Sequence, residues 1–307
     1  MTMNTSVPVV TVCVCTYKRP ALLEALLKSL VAQTVPLSTF EVVVVDNDSQ
    51  ESARHIAERF ALGVPQLRLR YFTEKKPGIS FARNSTVHHA TGEFLAFIDD
   101  DETASDVWLE NLTRTIRDHS FDAVMGPVFP IFPDGSPQWT RKSGFFERRR
   151  YPDGSQVSSD DGRTSNAMVR ADVIKSRVPL PFDPRFAKSG GEDHDFFQWM
   201  ESQGYKLGWA DFAVVSEIVP KERQALSFML ERSFRQSTVY WRGKYRAFSF
   251  TRKCIEVAKG ILGSIVYAIA GGLGLLTGLD RAVRYWVKSA KGLGRLFALT
   301  QVNLEGY

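Results

Sequence analysis

The chain has 307 residues, 44% of them hydrophobic and 24% charged. That is globular composition, enough for one large α/β domain or a domain plus an appendage, and it excludes disordered, collagen-like and solenoid architectures. The net charge of +5 is unevenly spread: residues 221–307 carry 15 Lys/Arg against 5 Asp/Glu, and the first 220 residues carry 24 against 29. An acidic body joined to a basic tail suits an anionic partner surface.

The three cysteines, Cys13, Cys15 and Cys254, provide neither a disulfide framework nor a zinc spacing. A reducing, cytoplasmic location is expected. Met1 to Pro8 has no basic stretch leading into an apolar one, so no secretory leader is expected.

In chain order, Val9–Cys15 is apolar and β-branched, as a strand buried on both faces requires. Pro20 opens a helix whose apolar side is Leu22, Leu23, Leu26, Leu27 and Leu30. Glu41–Val45 is a second strand, Ala53–Phe60 a second helix and Leu67–Phe72 a third strand. A third helix begins at Ile79 and ends near Gly92, and Phe94–Ile98 is a fourth strand running into Asp99-Asp100-Asp101-Glu102. This alternation predicts an α/β fold with a doubly wound, mostly parallel sheet, whose ligands bind beyond the carboxyl ends of the strands. Asp106–Ile116 reads as helical, and residues 126–165 as loop. Ala167–Val173 and Leu207–Val215 read as strands, with a helix over Asp193–Ser202 between them. After Pro220 the pattern turns helical and basic, which sets expected domains of 1–221 and 222–307.

Neither GxGxxG nor GxxxxGK[ST] is present, which argues against a dinucleotide-binding Rossmann enzyme and a P-loop NTPase. Three strand ends instead carry polar, mostly carboxylate groups: Thr16-Tyr17-Lys18-Arg19, Asp46-Asn47-Asp48-Ser49 and Asp99-Asp100-Asp101-Glu102. Three aspartates after a buried strand repel one another unless a cation offsets them. Mg²⁺ or Mn²⁺ does so with one or two carboxylates plus substrate phosphates. Alternation along an extended chain would put Asp99 and Asp101 on one side and Asp100 on the other. The alternative, an acidic helix start, is outweighed by the buried strand and the two other polar strand ends.

Glu192-Asp193 lies where a Gly190-Gly191 loop enters a helix anchored by Phe196, Phe197 and Met200. A carboxylate on a packed element facing a cleft suits a general base. Taken alone, the pair is better read as an acidic helix start that complements the macrodipole.

Six segments in order now resemble the family 2 glycosyltransferases with their GT-A fold: Cys15–Pro20, Val44–Ser49, Gly78–Asn84, Thr91–Asp101, Thr164–Ala167 and Gly191–Asp193. The resemblance spans about residues 9–220. The tail is similar to that of bacterial enzymes assembling exopolysaccharide repeat units on a lipid carrier, the succinoglycan type among them. The resemblance implies that Asp101 is the metal ligand and Asp193 the catalytic base. It implies that Thr16, Tyr17, Asp46, Asn47, Arg83, Asp99 and Asp100 bind the donor, and that Asn166 and Glu192 lie on the acceptor side. Asn47 stands where many members have a second aspartate, which bears on base preference. The implied reaction is a single inverting displacement from a nucleotide-sugar, a UDP-sugar favoured, onto a glycan hydroxyl. The implied cofactor is Mn²⁺ or Mg²⁺. The QxxRW pattern of processive synthases is absent after Pro220, so one sugar per acceptor is expected.

Ile261–Leu279 has 19 residues without a charge and five glycines. It is long enough to span a bilayer, but basic residues flank it on both sides, against the positive-inside tendency for a single span. A hairpin or interfacial dip keeps both clusters in the cytoplasm, and a soluble helical cap on the catalytic domain is the alternative. Arg284, Lys288, Lys291 and Arg295 form a basic stripe opposite Val283, Trp286, Val287, Leu293 and Phe297, an interfacial-helix pattern. A helical, membrane-associated extension is expected, on an anionic membrane at the cytoplasmic face of the bacterial inner membrane. The acceptor is expected to be lipid-linked, and nucleic acid is not an expected partner. The competing readings are a nucleotidyltransferase, or an inactive nucleotide-sugar-binding scaffold at the membrane.

Overall fold

The computed structural model describes residues 8–246 and 248–300. The Met1–Pro8 stretch lies outside them except for Pro8, as does the end of the tail beyond Thr300. The chain divides into two compact units, 1–129 with 148–217, and 130–147 with 218–307.

The first unit begins β1 (Val10–Thr16), α1 (Pro20–Val31), β2 (Phe40–Asp46), α2 (Arg54–Gly63), β3 (Arg68–Thr73), α3 (Ile79–His89) and β4 (Phe94–Ile98), the expected alternation within one or two residues. Then follow β5 (Glu102–Ala104), α4 (Trp108–Asp118), β6 (Ala123–Met125) and β7 (Val128–Ile131). The short helix α5 (Gln138–Lys142) precedes β8 (Asn166–Arg170), α6 (Ala171–Ser176), α7 (Glu192–Ser202), β9 (Leu207–Trp209) and β10 (Val215–Ile218). The second unit closes with α8 (Leu226–Arg246), α9 (Phe250–Gly274) and α10 (Leu279–Phe297).

Seven strands form one sheet in the order β3-β2-β1-β4-β8-β6-β9. β1 runs parallel to β2 and β4, and β2 parallel to β3. β8 is antiparallel to both neighbours, whereas β6 and β9 are parallel. The expected mostly parallel sheet is therefore observed with one reversed strand. A smaller sheet has the order β5-β10-β7. Two expected strands are corrected. Ala167–Val173 is not one strand, because the chain leaves β8 at Arg170 and turns helical. Leu207–Val215 is two short strands belonging to different sheets. Residues 130–147 group with the C-terminal helices rather than with the body. There Trp139, Phe145 and Phe146 pack on Met229, Val283 and Val287, so apolar contact overrides chain order.

The core follows from the strand pattern. Val42 to Val45 are wholly buried, and one side of α1 buries Leu23, Leu26, Leu27 and Leu30. Each such leucine contributes about 1.5–3 kcal/mol relative to exposure. A buried carboxylate sets the approach of β1, β2 and the loop into β4. Glu41 accepts from Thr11 Oγ1 at 2.7 Å, Thr91 N at 2.9 Å and Thr91 Oγ1 at 2.8 Å, and pairs with Arg70 at 2.9 Å. Burial alone would raise its pKa; these partners outweigh it and hold Glu41 below the usual carboxylate range.

Candidate active site

The strand order 3-2-1-4 makes β1 the switch point, where helices on either side diverge and leave a crevice at the carboxyl ends. β1 and β4 are neighbours, so the polar ends of two strands distant in sequence meet. Thr16 Oγ1 donates to Asp100 Oδ2 at 2.7 Å. Arg19, the residue before α1, lies 3.2 Å from Asp100 Oδ1 and 3.2 Å from Asp101 Oδ2. The expected alternation of Asp99 and Asp101 against Asp100 does not hold. β4 ends at Ile98, and the Glu102 amide bonds back to the Asp99 carbonyl at 3.2 Å. The resulting turn gives Asp100 and Asp101 a common cation. Burial pushes the Asp100 carboxyl up to about 6, although Thr16 and Arg19 favour its charged form.

A second chain of contacts starts at Asp99. Arg83 on α3 lies 3.3 Å from Asp99 Oδ1 and also pairs with Glu192 at the start of α7. Gly190 and Gly191 both have positive φ, 72° and 95°, which lets the chain turn sharply into α7. Glu192 is thereby buried against Arg83, while Asp193 stays partly exposed and accepts from the adjacent His194 amide at 2.7 Å. The loop before α7 is seated close to α3: a Cβ on Gly78 would lie 2.6 Å from the Ala187 Cβ.

Tyr17 is 54% exposed in the loop that follows β1. Asp46, Asn47 and Asn166 are different. Asp46 is fully buried and accepts from the Asp48 and Ala53 amides at 2.9 Å each and from Tyr71 Oη at 2.8 Å. The Asn47 amide donates to the Glu74 and Lys76 carbonyls and accepts from Gly78 N, each at 2.8 Å. Asn166 accepts from Trp108 Nε1 at 2.9 Å and donates to the Pro127 and Ala213 carbonyls at 2.9 and 2.7 Å. These bonds set the poses of the three side chains: Asp46 and Asn166 are buried, and Asn47, half-buried, bonds through its amide to the loop that carries Gly78.

Arg19, Glu102, Arg148 and Glu217 were not among the expected site residues. Glu102 is buried behind the turn and accepts from the Asp99 amide at 3.0 Å. Burial holds it well above the usual carboxylate range, the charges of Asp99 and Glu217 push the same way, and Arg148 opposes them. Glu217 sits directly across the ladder from Glu102, and Arg148 lies 3.6 Å from Glu217 while donating to Ser165 Oγ at 2.6 Å. Arg19 had a signal, a cation in a loop bound for the acidic strand end. Arg148 had none, because it comes from a loop without periodicity. A cleft of about 530 Å³ lined by Glu93, Phe94, Ile116, Arg117 and Arg170 shares no residue with this cluster and lies at the amino end of β4.

The site is thus a doubly wound sheet with carboxylates at its switch point, linked through Arg83 to a helix that starts with Glu192-Asp193, the arrangement of the GT-A fold. Residues 11–177 match the glycosyl transferase family 2 domain, and the chain belongs to that family. It is 38% identical over 230 residues to the succinoglycan biosynthesis protein ExoM of Rhizobium meliloti, covering 75% of this chain and 73% of that protein. It is 30% identical over 208 residues to the glycosyltransferase AglE of Haloferax volcanii, covering 68% and 66%. The fold matches a mannosyltransferase from Pyrobaculum calidifontis solved with GDP-Man and Mn²⁺, with TM-score 0.63, 19% identity and coverage of 94% and 88%. It also matches residues 1–349 of TarS from S. aureus, with TM-score 0.53, 21% identity and coverage of 93% and 89%. The protein is a glycosyltransferase with the GT-A fold, and the nucleotidyltransferase alternative falls away.

Proposed function

We propose that the protein moves one sugar from a nucleotide-sugar, a UDP-sugar in preference, to a hydroxyl of a lipid-linked glycan with inversion. The setting is exopolysaccharide assembly at the cytoplasmic face of the bacterial inner membrane. The observation that carries this reading is the meeting of Thr16, Arg19, Asp100 and Asp101 at the β1/β4 crevice, with Arg83 linking Asp99 to the start of α7. ExoM and AglE, by their names, belong to succinoglycan biosynthesis and glycosyl transfer.

The donor set fits a divalent cation. Among the described residues no group of three or more His, Cys, Asp or Glu side chains converges as a closed metal site. Mg²⁺ and Mn²⁺ commonly take one or two carboxylates and fill the shell with phosphate oxygens and water, and Asp101 supplies such a carboxylate at the crevice. A bound cation would offset the charge that develops on the departing diphosphate. Thr16 fixes the Asp100 rotamer, and Arg19 holds Asp100 and Asp101 together. Asp99 faces the sugar side of the donor, and Tyr17 covers the nucleoside. Asp193 takes the proton of the acceptor hydroxyl as that oxygen attacks the anomeric carbon. Glu192, neutralised by Arg83, sets the pose of the first turn of α7. The first unit is then the catalytic part, and the basic helices after Pro220 hold it at the membrane.

The test is to incubate the full chain with membranes bearing lipid-linked acceptors and a panel of nucleotide-sugars, reading incorporation and anomeric configuration by NMR. One inverted sugar per acceptor is the expected product. Nucleotide-sugar binding without transfer to any acceptor would point instead to the inactive scaffold.

A further inference from the structure

α9 is long and apolar enough to cross a bilayer by length and composition, since 25 residues span about 37 Å. Its neighbours decide whether it does. One stripe of α9, comprising Gly260, Ser264, Gly271 and Gly274, is buried. That stripe lies against α10 from end to end. A Cβ on Gly292 would come within 2.6 Å of the Gly260 carbonyl oxygen, one on Gly271 within 2.3 Å of the Trp286 ring, and one on Gly274 within 3.1 Å of Ala282 Cα. Ser264 and Ser289 exchange hydroxyl-to-carbonyl bonds of 2.9 Å in both directions. The two helices are thus an antiparallel pair in close backbone contact, so α10 must follow α9 wherever it goes.

α10 cannot follow it across hydrocarbon. It carries Arg281, Arg284, Lys288, Lys291 and Arg295, and Arg281, Arg284, Lys288 and Lys291 are exposed rather than turned inward. Its opposite face is engaged by α8: Val283 and Val287 cluster with Met229, and Ser237 Oγ donates to the Lys291 carbonyl at 2.6 Å. Cationic side chains at mid-membrane depth with no water-filled cavity are among the costliest groups to bury. The face of α9 turned away from α10, however, is an uninterrupted apolar stripe. Leu262, Val266, Ile269 and Leu273 recur at helical spacing and are exposed, and Leu276, 85% exposed, follows in the turn after α9. Arg252 and Lys259 are exposed at the amino-terminal end of the same helix. Lys288 lies over the rings of Tyr267 and Tyr285, at 5.3 and 5.9 Å, so a cation and two amphipathic rings mark one edge of the pair, as at a membrane–water boundary.

We infer that α9 and α10 form a monotopic hairpin: α9 lies in the plane of an anionic bilayer with its Leu262–Leu273 stripe in the acyl region, both of its ends stay on one side, and the exposed basic residues of α10 contact the lipid phosphates. This rests on the membrane assignment proposed above and says how the membrane is engaged. The partner chemistry follows from apolar area flanked by positive charge, which favours phosphatidylglycerol-type lipid over a neutral surface.

The two ends of α9 report the topology. Cys254 is exposed near its start, and Thr277→Cys in a Cys254→Ser background reports the other end. In sealed inner-membrane vesicles of both orientations carrying the full chain, an impermeant maleimide should label both positions from the cytoplasmic side only. Labelling of the two ends from opposite sides would overturn the hairpin while leaving membrane association standing. The charge variant Leu262→Glu/Ile269→Glu, at exposed positions, should reduce co-sedimentation with phosphatidylcholine–phosphatidylglycerol vesicles by roughly tenfold or more without changing the circular dichroism. Unchanged binding of that variant would show that another face docks. Failure of the unaltered protein to sediment with these vesicles at low salt would overturn both the hairpin and the membrane assignment beneath it.

Discussion

Arg83 on α3 and Glu192 at the start of α7 form a buried ion pair between residues 109 apart in sequence. The same guanidinium reaches Asp99 at the end of β4. The turn after β4 and the helix that carries Asp193 are therefore connected through one cation.

Breaking that pair should be costly. Arg83→Met or Glu192→Leu alone leaves an uncompensated charge in the interior, a loss of about 3–5 kcal/mol. The double variant removes both charges and should recover a large part of the stability, but not turnover. Urea unfolding of the three variants checks this; additive losses in the double variant would mean that the two side chains do not act as a pair.

Asp101→Ala should abolish transfer with the fold intact, because it removes the carboxylate offered to the cation at the crevice. Mn²⁺ affinity in the presence of a nucleoside diphosphate, followed by electron paramagnetic resonance, should fall by at least roughly tenfold. Full activity of the unaltered enzyme in excess EDTA would rule out the metal.

Asp193→Asn should keep nucleotide binding and lose turnover by roughly 10² or more. The check is kcat together with a separate nucleotide titration. Near-normal turnover would move the base to another carboxylate, and retention of anomeric configuration in the product would refute a single displacement.

Asn166→Ala is expected to act on stability, not on the acceptor. It strands the Trp108 indole N–H and the carbonyls of Pro127 and Ala213, and a loss of about 2–4 kcal/mol follows from unmet buried hydrogen bonds. A raised acceptor KM with unchanged unfolding midpoint would place Asn166 on the acceptor side instead.

Glu41 makes folding acid-sensitive. Its folded pKa is lowered, so its contribution is fully present above the ordinary carboxylate value of about 4.3 and is lost as pH falls through the lowered folded value. Glu41→Gln should be less stable at neutral pH and show a flatter stability profile on the acid side. Parallel profiles for the two proteins would remove Glu41 from the linkage.

The alternation of β1 through β4 with their helices was legible in the sequence, because strands buried on both faces must be continuous apolar runs and their helices must carry one apolar side. The placing of Asp99–Asp101 beyond β4 followed for the same reason, since a charged triplet cannot continue a buried strand. What the carboxylates and amides do there was decided by tertiary structure. Asp46, Asn47 and Asn166 resemble ligand contacts in their motifs, yet their hydrogen bonds go to Ala53 and Tyr71, to Glu74, Lys76 and Gly78, and to Trp108, Pro127 and Ala213. Polar partners are chosen by whatever the fold brings within about 3 Å, and no local periodicity encodes that choice. For the tail, the flanking charges already argued in the sequence for a hairpin or dip over a single span; what tertiary structure added is the close glycine-mediated contact of α9 with the basic α10.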